Sequence, residues 1–151
     1  MKVIATNRKA HRDYHIVDTI ECGIELTGTE VKSLRRNGAN LKDGFARVED
    51  NEVFLYKSHI SPYEYGNLEN HDPDRTRKLL LKRGQITSLK VKTSQKGFTL
   101  IPVSLYFKKG YAKLELGLAK GKSFYDKRES IKKKEALREI DRALKSRQKS
   151  R

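Results

Sequence analysis

The sequence has one cysteine, and this scarcity excludes several kinds of site at once. Cys22 has no second thiol with which to form an internal disulfide, and a zinc site built from several cysteines is excluded for the same reason. Cys22 lies among apolar residues, which predicts a small core side chain rather than a reactive thiol. A chain without disulfides is typical of the reducing cytoplasm, where we expect this protein to act.

Long apolar runs are also missing. No stretch of the sequence approaches the roughly 20 apolar residues that a membrane-spanning helix needs. The N-terminal segment, MKVIATNRK, contains no apolar run of the length found in signal peptides. We therefore expect a soluble, cytoplasmic protein that does not act at a membrane.

Residue patterns that carry catalysis are missing as well. No cluster of histidine, cysteine and aspartate has the spacing of metal ligands, although the sequence contains four histidines, His11, His15, His59 and His71. The segment 120–122, KGK, lacks the upstream glycines of a phosphate-binding loop. The sequence thus predicts no metal, no cofactor and no enzyme activity. The enzyme that would fit it best is a metal-dependent nuclease on a barrel fold.

Positive charge is what the sequence has in excess. It contains 34 lysines and arginines against 19 acidic residues, which gives a net charge of +15 over 151 residues. Such a surplus indicates a polyanionic partner. The last 26 residues carry 11 basic and 5 acidic residues but few large apolar ones, so they cannot form a core. We predict one folded domain, residues 1–125, followed by a basic tail, residues 126–151.

The tail nevertheless carries helix signals. Asp126 and Glu129 have the spacing of a capping box. Apolar residues fall on one narrow helical stripe at Ala136, Leu137, Ile140, Ala143 and Leu144. An isolated helix of this length is only marginally stable in water. The pattern therefore predicts a tail that is disordered when free and helical when it lies along RNA.

Residues 1–125 are predicted to be mainly β. β-branched and alternating patterns indicate about seven strands, at 14–21, 24–27, 45–49, 52–56, 77–81, 99–107 and 111–118. The alternation places Ile101, Val103, Leu105 and Phe107 on one face, and Leu114, Leu116 and Leu118 inward with Lys113 and Glu115 outward. Residues 1–13 are interpreted as a polar arm. Because no βα rhythm is present, we expect an antiparallel β-barrel with helical additions.

Two short helices and one long irregular segment complete the prediction. Thr27 and Glu30 form a capping box, and Asn37-Gly38 ends the helix that follows. Its core face would hold Val31 and Leu34, and its outer face Lys32, Arg35 and Arg36, which either contact RNA or are simply solvated. A second helix is indicated by Ile86 and Leu89. Residues 58–77 have no periodicity, and are predicted to be either an RNA-contacting loop or a packed Ω-loop.

Several blocks of sequence identify a family. They are GTEVKSLR at 28–35, PYEYG at 62–66, NHDP at 70–73, RTRKLLL at 75–81, GFTLIP at 97–102, LYF at 105–107, LAKGK at 118–122 and YDKR at 125–128. In this order they resemble the SmpB family, the proteins that bind tmRNA, also called SsrA RNA. The chain departs from the usual family pattern at Lys82, Gln85 and Ser123, and in the order of His11 and Arg12.

The resemblance implies a fold and a function. The fold would be an OB-like β-barrel with about three helices, without catalytic activity. The barrel would hold the tRNA-like domain of tmRNA and take the place of its missing anticodon arm on a stalled ribosome. The tail would enter the decoding centre and the mRNA channel beside small-subunit rRNA. Alanyl-tmRNA, elongation factor Tu and GTP would be further partners, and the outcome would be ribosome rescue and tagging of the unfinished peptide.

The resemblance also implies site residues. The expected tmRNA-binding positions are Glu21, Leu80 and Lys113, with Asn7, Arg8 and Lys9 at the approach to the barrel and Lys32 and Arg35 on the basic helix face. The expected ribosome-binding positions are Lys120, Gly121, Lys122, Tyr125, Asp126, Lys127, Arg128, Lys132, Lys133 and Lys134. Composition alone fits a structural ribosomal protein equally well, and only the sequence blocks favour the tmRNA-binding function.

Overall fold

Nine strands and three α-helices follow one another in the computed structural model, which describes residues 1–122, 137–140 and 142–143. In chain order they are β1 (Lys2–Thr6), α1 (Arg8–Asp13), β2 (Tyr14–Ile24), α2 (Gly28–Asn37), β3 (Ala39–Asn40), β4 (Phe45–Glu49), β5 (Glu52–Tyr56), β6 (His59–Ile60), β7 (Arg77–Leu80), α3 (Arg83–Thr93), β8 (Phe98–Lys108) and β9 (Tyr111–Gly121). A single 3-10 turn covers Asn67–Glu69, and the described residues of the tail are helical.

The main sheet closes on itself and so forms a barrel. Its strands run in the order β1-β8-β4-β5-β7-β2-β9, and β9 pairs back onto β8. Strand β8 can serve three neighbours because it is long: it pairs with β9 along its length, with β4 at Leu100 and with β1 beyond Ser104. All pairings are antiparallel, so the expected mainly β, OB-like barrel is confirmed.

The barrel core comes from the strands whose alternation was clearest. Leu114 and Leu116 are fully buried and Leu118 is nearly so, which confirms the inward face predicted for β9. They pack in one cluster with residues such as Leu55 and Leu79 from the opposite wall. Full burial of a leucine contributes roughly 1.5–3 kcal/mol, so this cluster is the main apolar contribution to folding.

The predicted single face of β8 is wrong. The pairing of β8 with β9 shifts register between Pro102 and Ser104, where a bulge adds one residue to β8. Leu100 and Leu105 consequently share the main core, whereas Ile101 packs in a second cluster beside helix α1. A bulge breaks the period of two, and the sequence pattern alone gave no sign of where it falls.

The predictions for the first 27 residues also need correction. Residues 1–13 are not an arm, because Lys2–Thr6 pairs with β8 and Arg8–Asp13 is helical. Strand β2 runs without a break from Tyr14 to Ile24, where two strands were predicted. Thr27 is not in a strand: it is the N-cap of α2 and forms the predicted capping box with Glu30.

The two predicted turns between strands are confirmed. Asp50 and Asn51 both have positive φ, 48° and 64°, as a tight hairpin between β4 and β5 requires. Lys109 and Gly110 have φ of 52° and 82° between β8 and β9. Gly38 ends α2 with φ of 73°, a conformation that glycine adopts without steric cost.

A buried ion cluster holds the irregular segment 58–77 against helix α2. Glu30 and Arg77 are both fully buried, and Arg77 Nε donates a hydrogen bond to Glu30 Oε2. Arg75 Nη2 donates to Glu30 Oε1 at 2.6 Å, and Arg77 also donates to the carbonyl oxygens of Ser58 and Pro73. The segment is therefore packed, as in the Ω-loop alternative.

Cys22 is a core residue, as predicted. Its side chain is 3% exposed, and burial raises the pKa of its thiol to about 12. Among residues 1–122, 137–140 and 142–143 we find no helix with the length and hydropathy of a transmembrane segment. Within those same residues, no three histidine, cysteine or acidic side chains are grouped as a metal site would require.

Candidate nucleic-acid interface

Three residues that are far apart in sequence meet on the outer surface of the barrel. Strand β2 lies between β7 and β9, and at Gly23 it pairs with Leu80 on one side and Lys113 on the other. Glu21 lies two residues before Gly23 and therefore on the same face of the sheet. The register thus brings together Glu21, Leu80 and Lys113, the three positions that the family resemblance singled out.

These residues line a hollow of about 360 Å³, which we call the β2 hollow. Its wall also includes Lys82 and Gln85, from the segment that begins helix α3. The floor is open because Gly23 has no side chain, and a Cβ placed there would lie 3.1 Å from the Leu80 Cβ. Leu80 is 49% exposed and so belongs to the surface rather than the core.

The Glu21 carboxylate is held by two neighbours on β8. The Tyr106 hydroxyl donates a hydrogen bond to Glu21 Oε2 at 2.5 Å, and Lys108 Nζ lies 3.4 Å from the same oxygen. The hydrogen bond from Tyr106 and the charges of Lys108 and Lys113 lower the pKa of Glu21. The carboxylate is therefore ionised and oriented at neutral pH, with Oε1 in longer contact with Lys108 at 3.5 Å.

The β2 hollow combines groups suited to RNA recognition. An oriented carboxylate accepts hydrogen bonds from 2′-hydroxyls and base amino groups, but it repels phosphates. Lys113 supplies the positive charge that attracts the backbone. The exposed side of Leu80 offers an apolar contact to a ribose or a base. An anion, a cation and an apolar surface within one hollow favour a specific contact over simple charge attraction.

The expected residues at 7–9 lie elsewhere on the barrel. Asn7 is buried, and its side-chain amide donates to the carbonyl oxygens of Leu41 and Pro102 at 3.1 and 2.8 Å while accepting from the Ala10 amide. This makes Asn7 the N-cap of α1, a role that positions the helix. Arg8 and Lys9 follow on the helix, and Lys9 Nζ lies 3.7 Å from Asp43.

Helix α2 presents its basic face as predicted. Lys32, Arg35 and Arg36 are all exposed. The Lys32 ammonium lies 5.8 Å from the ring centroid of Tyr63, and the Arg35 guanidinium lies 5.8 Å from that of Phe107. Each cation is therefore placed over an aromatic ring, which restrains it without neutralising its charge.

The tail positions are only partly described. Lys120 and Gly121 end strand β9, where Lys120 Nζ lies 4.4 Å from the ring centroid of Phe98. Lys122 follows and is exposed. The remaining predicted ribosome-binding positions lie outside the described residues, namely Tyr125, Asp126, Lys127, Arg128, Lys132, Lys133 and Lys134. The structure therefore shows where the tail leaves the barrel, at the end of β9.

Sequence analysis missed Tyr106 and Lys108, which orient Glu21. Both lie on β8, more than 80 residues from Glu21 in the chain. Their alternation with Leu105 and Phe107 marked them as outward-facing, which is the available signal. What they face depends on the pairing of β8 with β9 and of β9 with β2.

Comparison with known proteins gives the chain its relatives. The family model for the SmpB protein matches residues 4–146. The SsrA-binding proteins of Geobacillus kaustophilus and Macrococcus caseolyticus are 60% and 61% identical to it, over 98% and 97% of this chain and 96% and 95% of theirs. A solved chain from "tmRNA-SmpB: a journey to the center of the bacterial ribosome" superposes with a TM-score of 0.68 at 49% identity, covering 80% of this chain and 85% of that one. The chain therefore belongs to the SmpB family.

Proposed function

We propose that this protein binds tmRNA in trans-translation and contacts its tRNA-like domain through the β2 hollow. The observation that carries the proposal is the convergence of Glu21, Leu80 and Lys113 on one open surface. Its relatives are named SsrA-binding proteins, and a solved relative is described with tmRNA and the ribosome. A structural ribosomal protein, the other candidate, is not favoured by these names.

On the ribosome, the barrel would take the place of the anticodon arm that tmRNA lacks. Alanyl-tmRNA with elongation factor Tu and GTP would deliver the complex to ribosomes stalled without a stop codon. The basic tail would then enter the decoding centre and the empty mRNA channel beside small-subunit rRNA. The strand β9 supports this arrangement, because Lys113 lies near its beginning and the tail follows its end. One rigid strand would thus connect the two contacts.

Replacing Lys113 with alanine should weaken binding to the tRNA-like domain roughly five- to eightfold at about 0.1 M salt, because one phosphate contact is lost. The slope of log affinity against log salt should fall by about 0.7–0.9. Titration of the full-length protein with the isolated domain at several salt concentrations measures both. The matched control is Lys90→Ala, which removes an exposed lysine from helix α3.

The contrary results of this titration are specific. An unchanged affinity for Lys113→Ala would remove the β2 hollow as the binding surface. An equal loss for Lys90→Ala would mean that net charge alone drives binding. A flat salt response of the unaltered protein would contradict contact with phosphates.

Replacing Tyr106 with phenylalanine should move the pKa of Glu21 upward toward its ordinary value, because the hydrogen bond from Tyr106 is the largest cause of its lowering. Binding to the tRNA-like domain should weaken roughly three- to tenfold, since the carboxylate is less well oriented. An NMR pH titration of the Glu21 carboxyl group in the free protein measures the first effect. Affinity lost without any change in that titration would instead make Tyr106 a direct RNA contact.

A further inference from the structure

A second basic surface lies where the barrel meets the tail. It is a groove of about 560 Å³ between helix α1 and strands β4 and β8, and we call it the tail-root groove. Its cationic wall residues are Lys9, Lys42, Arg47 and Lys57. Asp43 is the acidic residue on this wall, and its carboxylate lies 3.7 Å from Lys9 Nζ. Three of the four cations therefore remain without a carboxylate on the groove wall.

The groove cations are available for a ligand. Lys42 and Lys57 are exposed, and neither takes part in an ion pair within the described part of the chain. The Arg47 guanidinium lies 5.2 Å from the ring centroid of Phe45, which stacks on Tyr56 at 5.3 Å. One side of the groove is thus a flat aromatic and guanidinium surface, and the rest carries flexible ammonium groups.

Lys57 occupies a backbone conformation that does not suit it. Its φ is 55°, in the left-handed region that glycine adopts without steric cost. A glycine at this turn would relieve the strain but would remove one positive charge from the groove. Strained non-glycine residues of this kind are found disproportionately at functional sites. The strain is a second observation, independent of the charge count, that assigns the groove a ligand.

The position of the groove distinguishes it from the β2 hollow. Tyr14 belongs to the groove wall, and it pairs with Gly121 at the point where β9 ends and the basic tail begins. Glu21, in the β2 hollow, is seven residues farther along the same strand, or about 23 Å at roughly 3.3 Å per residue. One RNA helix held at the hollow would leave the groove facing another partner.

We propose that the tail-root groove binds the phosphate backbone of the ribosomal RNA that the tail enters. The proposal rests on the proposed function, because it takes the tail to be the part that enters the ribosome. Lysine and arginine side chains around a concave surface suit a strand of regularly spaced phosphates. The barrel would then be fixed by two RNAs at opposite ends of β2, with tmRNA at the hollow and ribosomal RNA at the groove.

The test compares two double variants of the full-length protein. Lys42→Gln/Lys57→Gln removes two groove cations, and Lys90→Gln/Lys96→Gln removes two exposed lysines elsewhere. For isolated small ribosomal subunits we expect the groove variant to bind roughly 25- to 60-fold more weakly than the unaltered protein at about 0.1 M salt. Its affinity for the tRNA-like domain of tmRNA should stay within about twofold. The control variant should change both affinities by less than about threefold.

Each contrary result has a separate meaning. Equal subunit affinity for the two double variants overturns the groove proposal. A matching loss of affinity for the tRNA-like domain assigns the groove to the tmRNA surface and overturns it as well. Thermal unfolding midpoints check that both variants fold, and Lys42→Gln alone, with an expected five- to eightfold loss, replaces the double variant if it does not. Failure of the unaltered protein to bind the tRNA-like domain would refute the proposed function itself.

Discussion

Replacing Glu30 with glutamine should lower the free energy of unfolding by about 3–5 kcal/mol, because it leaves the Arg77 guanidinium buried without its counter-charge. Both side chains are fully buried, and Arg77 donates directly to the Glu30 carboxylate. Arg75, which is partly exposed, can turn toward solvent, but Arg77 cannot. Denaturant unfolding of the full-length protein measures the loss, provided that the transition is two-state.

The control for this prediction is Glu25→Gln, which removes an exposed carboxylate three residues before the helix that carries Glu30. Its effect should stay within about 0.5 kcal/mol. A loss below about 1 kcal/mol for Glu30→Gln would mean that water reaches Arg77 in the folded protein. It would also remove the ion cluster as the reason why residues 58–77 are held against helix α2.

The ion cluster also has a pH signature. Burial raises the pKa of Glu30, but hydrogen bonds from Arg75, the Thr27 amide and Arg77 outweigh it, so the pKa is lowered overall. A lowered pKa contributes stability that is present above the ordinary carboxyl value and is lost as the pH falls through the folded value. The acid side of the stability profile should therefore be flatter in Glu30→Gln than in the unaltered protein.

Glu30 shows how far sequence reasoning reaches in this protein. The capping box with Thr27 was predicted correctly, since it depends on residues only three apart. The ion cluster was not, because the partners of Glu30 lie 45 and 47 residues later in the chain. The same limit explains β8, where a bulge at one residue moved Ile101 and Leu105 into different clusters. Local signals were visible, and long-range pairings and bulges were not.

The candidate site followed the same division. Periodicity marked Lys113 as outward-facing, but it gave no reason to associate it with Glu21 or Leu80. That association came from the family resemblance, and the strand register gives it a physical basis. Asn7 shows the converse, since the resemblance placed it at the RNA surface and the structure uses its side chain as a buried helix cap. Its contribution is therefore to position Arg8 and Lys9.

A chain that ends at Phe124 should keep its affinity for the tRNA-like domain of tmRNA within about threefold, while tagging of peptides on stalled ribosomes falls to background. The β2 hollow is built from β2, β7 and β9, all of which precede residue 122. The last 26 residues remove a net charge of +6, so binding is measured near 0.2 M salt, where non-specific attraction is weak, at a Debye length of about 7–8 Å. Tagging is measured in a reconstituted translation reaction on a message without a stop codon.

Lys113→Ala is the matched opposite of this truncation, because it alters the hollow and leaves the whole tail in place. It should lose affinity for tmRNA, and its tagging should recover when tmRNA and protein are raised above the weakened dissociation constant. The truncated chain should not recover at any concentration, since its defect follows binding. If the truncation instead lost as much RNA affinity as Lys113→Ala, the tail would be part of the tmRNA surface. The separation of the barrel from the tail into two functions would then be wrong, even though β9 joins them.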